Sequence, residues 1–193
     1  MKIHATLLAF ALALAAPVAP VLAEDAPNYI EEMKRWQPKA EAGDAEAQFQ
    51  LGQMYALGHG FKQNFKTAAE WYEKAAAQGN AKARTALGLL YYYGIGVEED
   101  KEKAGEWFEK AAAQDDATAQ RYLGSVAAKA KDYVQAKQWW EQGAANGDAL
   151  SMRNVGSLYE EGKGVNQDFA EAESWYRKGT KSKKNSATSM ISL

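Results

Sequence analysis

Apolar and polar positions along the chain fall into two alternating helical patterns. In AEAQFQLGQMYAL, Ala47, Leu51, Gly52 and Tyr55 lie at offsets that share one face of an α-helix, with polar groups between them. The set returns as Ala83/Leu87/Gly88/Tyr91, Ala119/Leu123/Gly124/Ala127 and Ser151/Val155/Gly156/Tyr159. A second pattern follows each copy, as KTAAEWYEKAAAQ, KEKAGEWFEKAAAQ, VQAKQWWEQGAAN and AEAESWYRKG. Here Ala68, Ala104, Ala136 and Ala172 stand three residues before a tryptophan, and Ala75, Ala111, Gly143 and Gly179 stand four after it. That small/large/small stripe lets neighbouring helices approach closely around the indole. The prediction is an all-α chain of helix pairs repeated four times.

Spacing fixes the repeat. Gly52, Gly88, Gly124 and Gly156 are 36, 36 and 32 residues apart, and Trp71, Trp107, Trp139 and Trp175 are 36, 32 and 36 apart. A four-residue deletion therefore falls between the two helices of the third unit. Glycine inside a helix costs about 1 kcal/mol relative to alanine, so its recurrence points to a neighbouring backbone too close for a Cβ. Asp44, Asn80, Asp116 and Asp148 precede the first helices, and Asn64, Asp100, Asp132 and Asp168 precede the second ones. Short polar acceptors are what eight helix starts need to satisfy free amides, which makes these acids caps and not catalysts.

Three units carry a glycine corner after the first helix: GHGF from Gly58, GIGV from Gly94 and GKGV from Gly162. Glycine permits a left-handed helix stop there, and the apolar residue can fold back onto the pair. No strand and no Gly-Lys-Ser/Thr run accompanies a corner, so none reads as a phosphate loop. The expected organisation is a signal segment at 1–23, a linker and capping helix at 24–43, and repeats at 44–79, 80–115, 116–147 and 148–180. A basic, polar and disordered tail is expected at 181–193. Trp36 to Ala42 resembles the end of another second helix, suited to covering the start of the stack.

Composition narrows the function. MKIHATLLAFALALAAPVAPVLAED has Lys2 before an apolar run and Val21-Leu22-Ala23 before Glu24, which reads as an export signal and places the mature protein in the periplasm or outside the cell. Pro17 and Pro20 interrupt the run, so no integral span is expected after processing. The chain has no cysteine, which removes disulfides, thiol nucleophiles and thiolate metal sites. Residues 24–176 carry 17 bases against 25 acids, a body that repels nucleic acid. Arg177, Lys178, Lys181, Lys183 and Lys184 form a basic end without acids, read as solubilising, with weak contact to anionic lipid as the alternative.

Candidate chemistry is thin. Glu70/Glu73, Glu106/Glu109 and Glu160/Glu161 are carboxylate pairs without an apolar pocket signal, and His59 is the sole histidine after residue 23, without a serine triad or a second histidine for zinc. The acidic link from Glu98 to Glu102 lacks the alternating ligands of a calcium loop. No cofactor, no metal and no catalytic residue is expected.

These residues together resemble the Sel1-like repeat family, relatives of the tetratricopeptide repeats, in an exported bacterial form. AKARTALGLLYYYGIGVEEDKEKAGEWFEKAAAQ follows the family pattern throughout; the first copy departs at Phe61, the fourth at Ser151 and Val155, and the third lacks the corner and the tyrosine. The resemblance implies a right-handed α-solenoid of antiparallel helix pairs whose first helices line a concave, protein-binding face. Carried onto this chain, the candidate binding residues are Phe49, Gln50, Gln53, Leu89, Tyr92, Tyr93, Arg121, Tyr122, Arg153 and Asn154. Independently, Phe49, Tyr92, Tyr93 and Tyr122 lie off the Gly/Tyr register, where exposed aromatic anchors are expected. The implied function is a non-enzymatic scaffold or adaptor for a protein or peptide partner. Immunity against a periplasm-acting toxin and regulation of an envelope sensor remain open alternatives. Tyr29, Ile30 and Met33 near the start, with Met190, Ile191 and Leu193 at the end, are apolar groups suited to self-association, and they leave the oligomeric state open.

Overall fold

The computed structural model describes residues 28–191, with side chains through residue 182. The expected signal at 1–23 and the side chains of Lys183, Lys184, Met190, Ile191 and Leu193 lie outside the described residues. Nine helices and no strand occur among the described residues: α1 (Tyr29–Glu41), α2 (Ala45–Leu57), α3 (Phe65–Ala77), α4 (Ala81–Tyr93), α5 (Lys101–Ala112), α6 (Ala117–Lys129), α7 (Tyr133–Ala145), α8 (Ala149–Glu161) and α9 (Phe169–Ile191). They pair in antiparallel fashion as an α-solenoid. Contacts divide the chain into two compact units, one through Trp107 and one from Phe108, the division falling inside α5. In the first unit α1 packs on α2, α2 on α3 and α3 on α4. In the second, α6 packs on α7, α7 on α8 and α8 on α9.

Every expected cap is made. Asp44, Asn64, Asn80, Asp100, Asp116, Asp132, Asp148 and Asp168 each accept a hydrogen bond from the amide three residues on, between 2.7 and 3.2 Å. With their own oxygens bound into helix starts, these side chains hold the frame. The buried face of each first helix is the one the periodicity picks out: Ala47/Leu51/Gly52, Ala83/Leu87/Gly88, Ala119/Leu123/Gly124 and Ser151/Val155/Gly156.

The glycines in those faces receive an aromatic side chain, where a neighbouring backbone is expected. A Cβ on Gly52 would stand 2.6 Å from the ring of Tyr72, and one on Gly156 2.6 Å from Tyr176. On Gly124 it would stand 2.5 Å from Nε1 of Trp140. The wedge is thus the residue after the repeating tryptophan. The tryptophans themselves are half-buried, and Trp71 and Trp175 carry the ammonium groups of Lys74 and Lys178 over their rings at 3.9 and 4.0 Å. The phase also identifies α1: Tyr29 precedes Trp36 by the same seven residues that separate Phe65 from Tyr72 and Tyr133 from Trp140. Trp36 therefore stands in the wedge register, and it packs beside Ala40, Ala47 and Leu51.

Corners behave as glycine requires. Gly58, Gly94 and Gly162 end α2, α4 and α8 at φ of 76°, 63° and 65°. The apolar residue folds back: Phe61 stacks on Tyr55 at 4.1 Å. In the third unit the shortened link puts Lys131 at φ 65°. A side chain is strained there by roughly 1 kcal/mol, so Lys131→Gly should raise the unfolding midpoint, and an unchanged or lower midpoint in urea would contradict that reading. Deleting the corner also uncovers Val126, which is 43 % exposed, whereas Met54, Leu90 and Leu158 at the same place in the other units are buried.

The tail differs from expectation in one respect. α9 runs on to Ile191, well past residue 181, where a disordered segment is expected. No glycine or proline lies between Lys181 and Ile191 to stop it, and Ser, Lys and Ala extend a helix already nucleated by packing.

Candidate protein-binding surface

A first helix with neighbours on two sides has less free surface than a single register suggests. Three of the ten candidate binding residues are buried: Phe49 is 3 % exposed, Gln53 9 % and Leu89 2 %. Phe49 lies against Tyr72, centroids 5.8 Å apart, because α2 packs on both α1 and α3. Leu89 sits on a helix buried around most of its circumference, with Thr85, Ala86, Leu87, Leu90 and Tyr91 buried beside it. These three are core residues, and their assignment to a binding face is corrected accordingly.

The other seven keep some surface but several are committed within the chain. In the first unit Gln50 donates to Glu46 at 2.7 Å, and Tyr92 and Tyr93 meet edge to face at 5.0 Å, both half-buried. In the second unit Tyr122 lies parallel to buried Phe108 at 5.1 Å with the Arg121 guanidinium 4.8 Å from its ring. Arg121 Nε is also 3.2 Å from Asp148 Oδ2, an ion pair without hydrogen-bond geometry. Arg153 is exposed and Asn154 half-buried. Thr118, Tyr122, Ser125 and Lys129 on α6, and Leu150, Asn154, Ser157 and Glu161 on α8, make matching stripes of partly or fully exposed groups at helical spacing. Leu150, 43 % exposed, is the apolar member of this face that the candidate set omits.

Each compact unit also holds a polar contact between helices that the apolar periodicity does not predict. Gln48 donates to the Ala40 carbonyl at 3.1 Å and accepts from Gln78 at 2.8 Å. Gln120 repeats this with Ala112 at 3.3 Å and Asn146 at 2.9 Å. Arg84 reaches the Ala76 carbonyl at 3.3 Å from the same helical position. Each side chain ties a first helix to the end of the second helix before it. The signal in the sequence is a polar residue four places after each first-helix cap, three times in four units.

Three of the carboxylates weighed for catalysis, Glu73, Glu160 and Glu161, are used structurally. Glu73 accepts from the Tyr91 hydroxyl at 3.2 Å, and Lys103 donates to the same hydroxyl at 2.6 Å. Glu160 accepts from Tyr176 at 2.5 Å; burial, then this carboxylate, push the Tyr176 hydroxyl up to about 12. The Lys163 ammonium and the Ser157 hydroxyl hold the Glu161 carboxyl below the usual range, the opposite of a general acid. Among the described residues no group of three metal-ligating side chains comes together, and no helix is long and apolar enough to cross a membrane.

His59 stacks on Tyr29 at 3.9 Å, joining the first corner to α1. Burial lowers its pKa from 6.5 against the opposing pull of Glu32. A depressed histidine pKa means that folding favours the neutral ring, so this contribution is present above the unfolded value and is lost as pH falls through 6.5 and below. His59→Gln should flatten the fall in stability between roughly pH 7 and pH 5.5, above the main carboxylate titrations; an identical slope in both proteins would remove the linkage.

The Sel1 repeat profile matches residues 45–80, 81–116, 117–148 and 149–182, most of the chain. The chain belongs to the Sel1 repeat family. A solved Sel1 repeat protein from Oxalobacter formigenes is 32 % identical over 82 % of this chain and 66 % of its own, with a TM-score of 0.78. A protective antigen present in uropathogenic Escherichia coli strains, displaying an SLR fold, is 30 % identical over 94 % of this chain and 38 % of its own, with a TM-score of 0.75. The chain thus spans just under two thirds of one relative and well under half of the other. MamA shares the fold at 22 % identity and a TM-score of 0.52, covering 82 % of this chain and 89 % of its own. No curated protein matches. The chain is a non-enzymatic helical-repeat scaffold of this family, and in its second unit α6 and α8 carry the partly exposed stripes described above.

Proposed function

We propose that the chain is an exported protein-binding scaffold, processed after Ala23 and acting in the periplasm, whose α6 and α8 face receives a protein or peptide partner. The observation that carries the reading is Leu150: a large aliphatic group 43 % exposed on a rigid helix, in a stripe otherwise made of Asn154, Ser157 and Glu161. An apolar anchor ringed by polar groups is how protein interfaces obtain affinity at the centre and register at the rim. Tyr122 supports this face from below, since its ring is stacked on Phe108, and replacing it tests packing as much as binding.

Capture from a periplasmic extract by the mature protein tests the face. The expected result is a partner recovered by the native protein and lost with Leu150→Asp/Ser125→Arg, at unchanged far-ultraviolet circular dichroism. Equal recovery by both proteins would withdraw the face. Export has its own test: protein recovered from the periplasm should have the intact mass of a chain beginning at Glu24. A chain retained in the cytoplasm with residues 1–23 attached would overturn that part.

A further inference from the structure

In the three repeats that have a glycine corner, its second glycine has a fixed landing place, the first residue of the second helix that precedes it. A Cβ on Gly60 would stand 2.9 Å from the Tyr29 carbonyl oxygen, one on Gly96 2.5 Å from the Phe65 carbonyl carbon, and one on Gly164 2.8 Å from the Tyr133 Cβ. α9 begins with a residue of the same kind, Phe169. Among the described residues no corner lands on it, and it is 66 % exposed, the most exposed of the large apolar side chains.

Two further marks of the same interface lie open beside it. Arg121 reaches forward to Asp148, the cap of the next first helix, at 3.2 Å. Arg153 stands at the equivalent place one repeat later, exposed and without a salt bridge among the described residues. Ala40, Ala76, Ala112 and Ala144 are buried near the ends of their second helices, whereas Thr180, in the same register on α9, is exposed.

We propose that this end of the second unit, formed by Phe169, Arg153 and Thr180, is a docking site for another protein that presents a helix with an acidic cap followed by a glycine corner. The three internal copies define the occupant. A corner glycine is required because a Cβ would collide with the backbone or Cβ beneath it. The acidic cap follows from the Arg121 to Asp148 pair, with exposed Arg153 as the cation that would meet it here. A second copy of the chain is the weaker occupant: α2 and α8 are already packed against the second helices that precede them, α1 and α7.

The test titrates the mature protein into a labelled peptide of residues 147–168, which carries the Asp148 cap, α8 and the corner, and into a helix-stapled version that removes the cost of folding the probe. Saturable one-to-one binding by fluorescence anisotropy is expected. Arg153→Glu should weaken it by about tenfold, and an Asp148→Arg peptide should recover that loss on the Arg153→Glu protein while binding the native protein poorly. Phe169→Ala should weaken it independently, whereas Ser125→Arg, on the separate α6 and α8 face, should leave it unchanged. Lack of saturation with the stapled probe, or equal binding by Arg153→Glu, would overturn the proposal. So would a native protein that is dimeric in sedimentation and becomes monomeric with Phe169→Ala.

Discussion

Gly124→Ala should destabilise the protein by about 2 kcal/mol, although alanine is the better helix former by about 1 kcal/mol. The added Cβ would land on Cδ1 of Trp140 and within 2.5 Å of its Nε1. The indole cannot swing aside cheaply, because it is almost wholly buried and its Nε1 donates to the Arg121 carbonyl at 3.1 Å. Gly105 provides the internal contrast: it too lies within a helix, but a Cβ there meets nothing within 4 Å. Gly105→Ala should therefore stabilise by up to about 1 kcal/mol. Trp140→Leu makes room, so adding Gly124→Ala to it should cost far less than in the native background. Urea midpoints of the four proteins decide the matter; similar effects at both glycines would mean that backbone entropy, and not the aromatic wedge, governs these positions.

The second large effect is expected at Gln120. Gln120→Leu keeps the bulk but removes the bond to the Ala112 carbonyl and the acceptor for Asn146, placing an aliphatic group against two polar partners. A cost of about 2 kcal/mol follows from stranding them. Ala112 retains the bond it accepts from the Asp115 amide at 3.0 Å, which limits the loss on that side. With Asn146→Ala already present, Gln120→Leu should cost less, since one of the stranded groups is gone. Additive losses in that double-mutant cycle would show that the two side chains do not act together.

Periodicity made the frame legible because solenoid repeats are locally consistent: caps, corner glycines and helix faces all point to one register. It did not separate Tyr72 from Trp71 as the partner of Gly52. Both are large aromatics, and adjacent residues on a helix differ by roughly 100° in direction, so only the packing angle decides. Phe49 and Leu89 depart from the expected binding face for a related reason. A helix between two neighbours buries more than one stripe, and an apolar residue off the main register can serve the second contact. Gln48 and Gln120 are buried without an apolar signal, because a polar residue reads as exposed until a carbonyl is found for it. Arg121, read as a cation facing a partner, is also held in the chain by Asp148, whereas Arg153 has the same type and register without that pair. Exposure at these positions depends on what stacks next, which no single repeat records.

The most direct measurement of the central claim, that this Sel1 chain presents its second-unit first-helix face to a protein partner, is photo-crosslinking in cells from single positions. A benzophenone side chain at Leu150, on that face, should give a discrete adduct of higher mass, and one at exposed Gln142 on α7 should give none. Adducts from Gln142 with none from Leu150, in a protein of native helicity, would place the partner on the other helices and contradict the account.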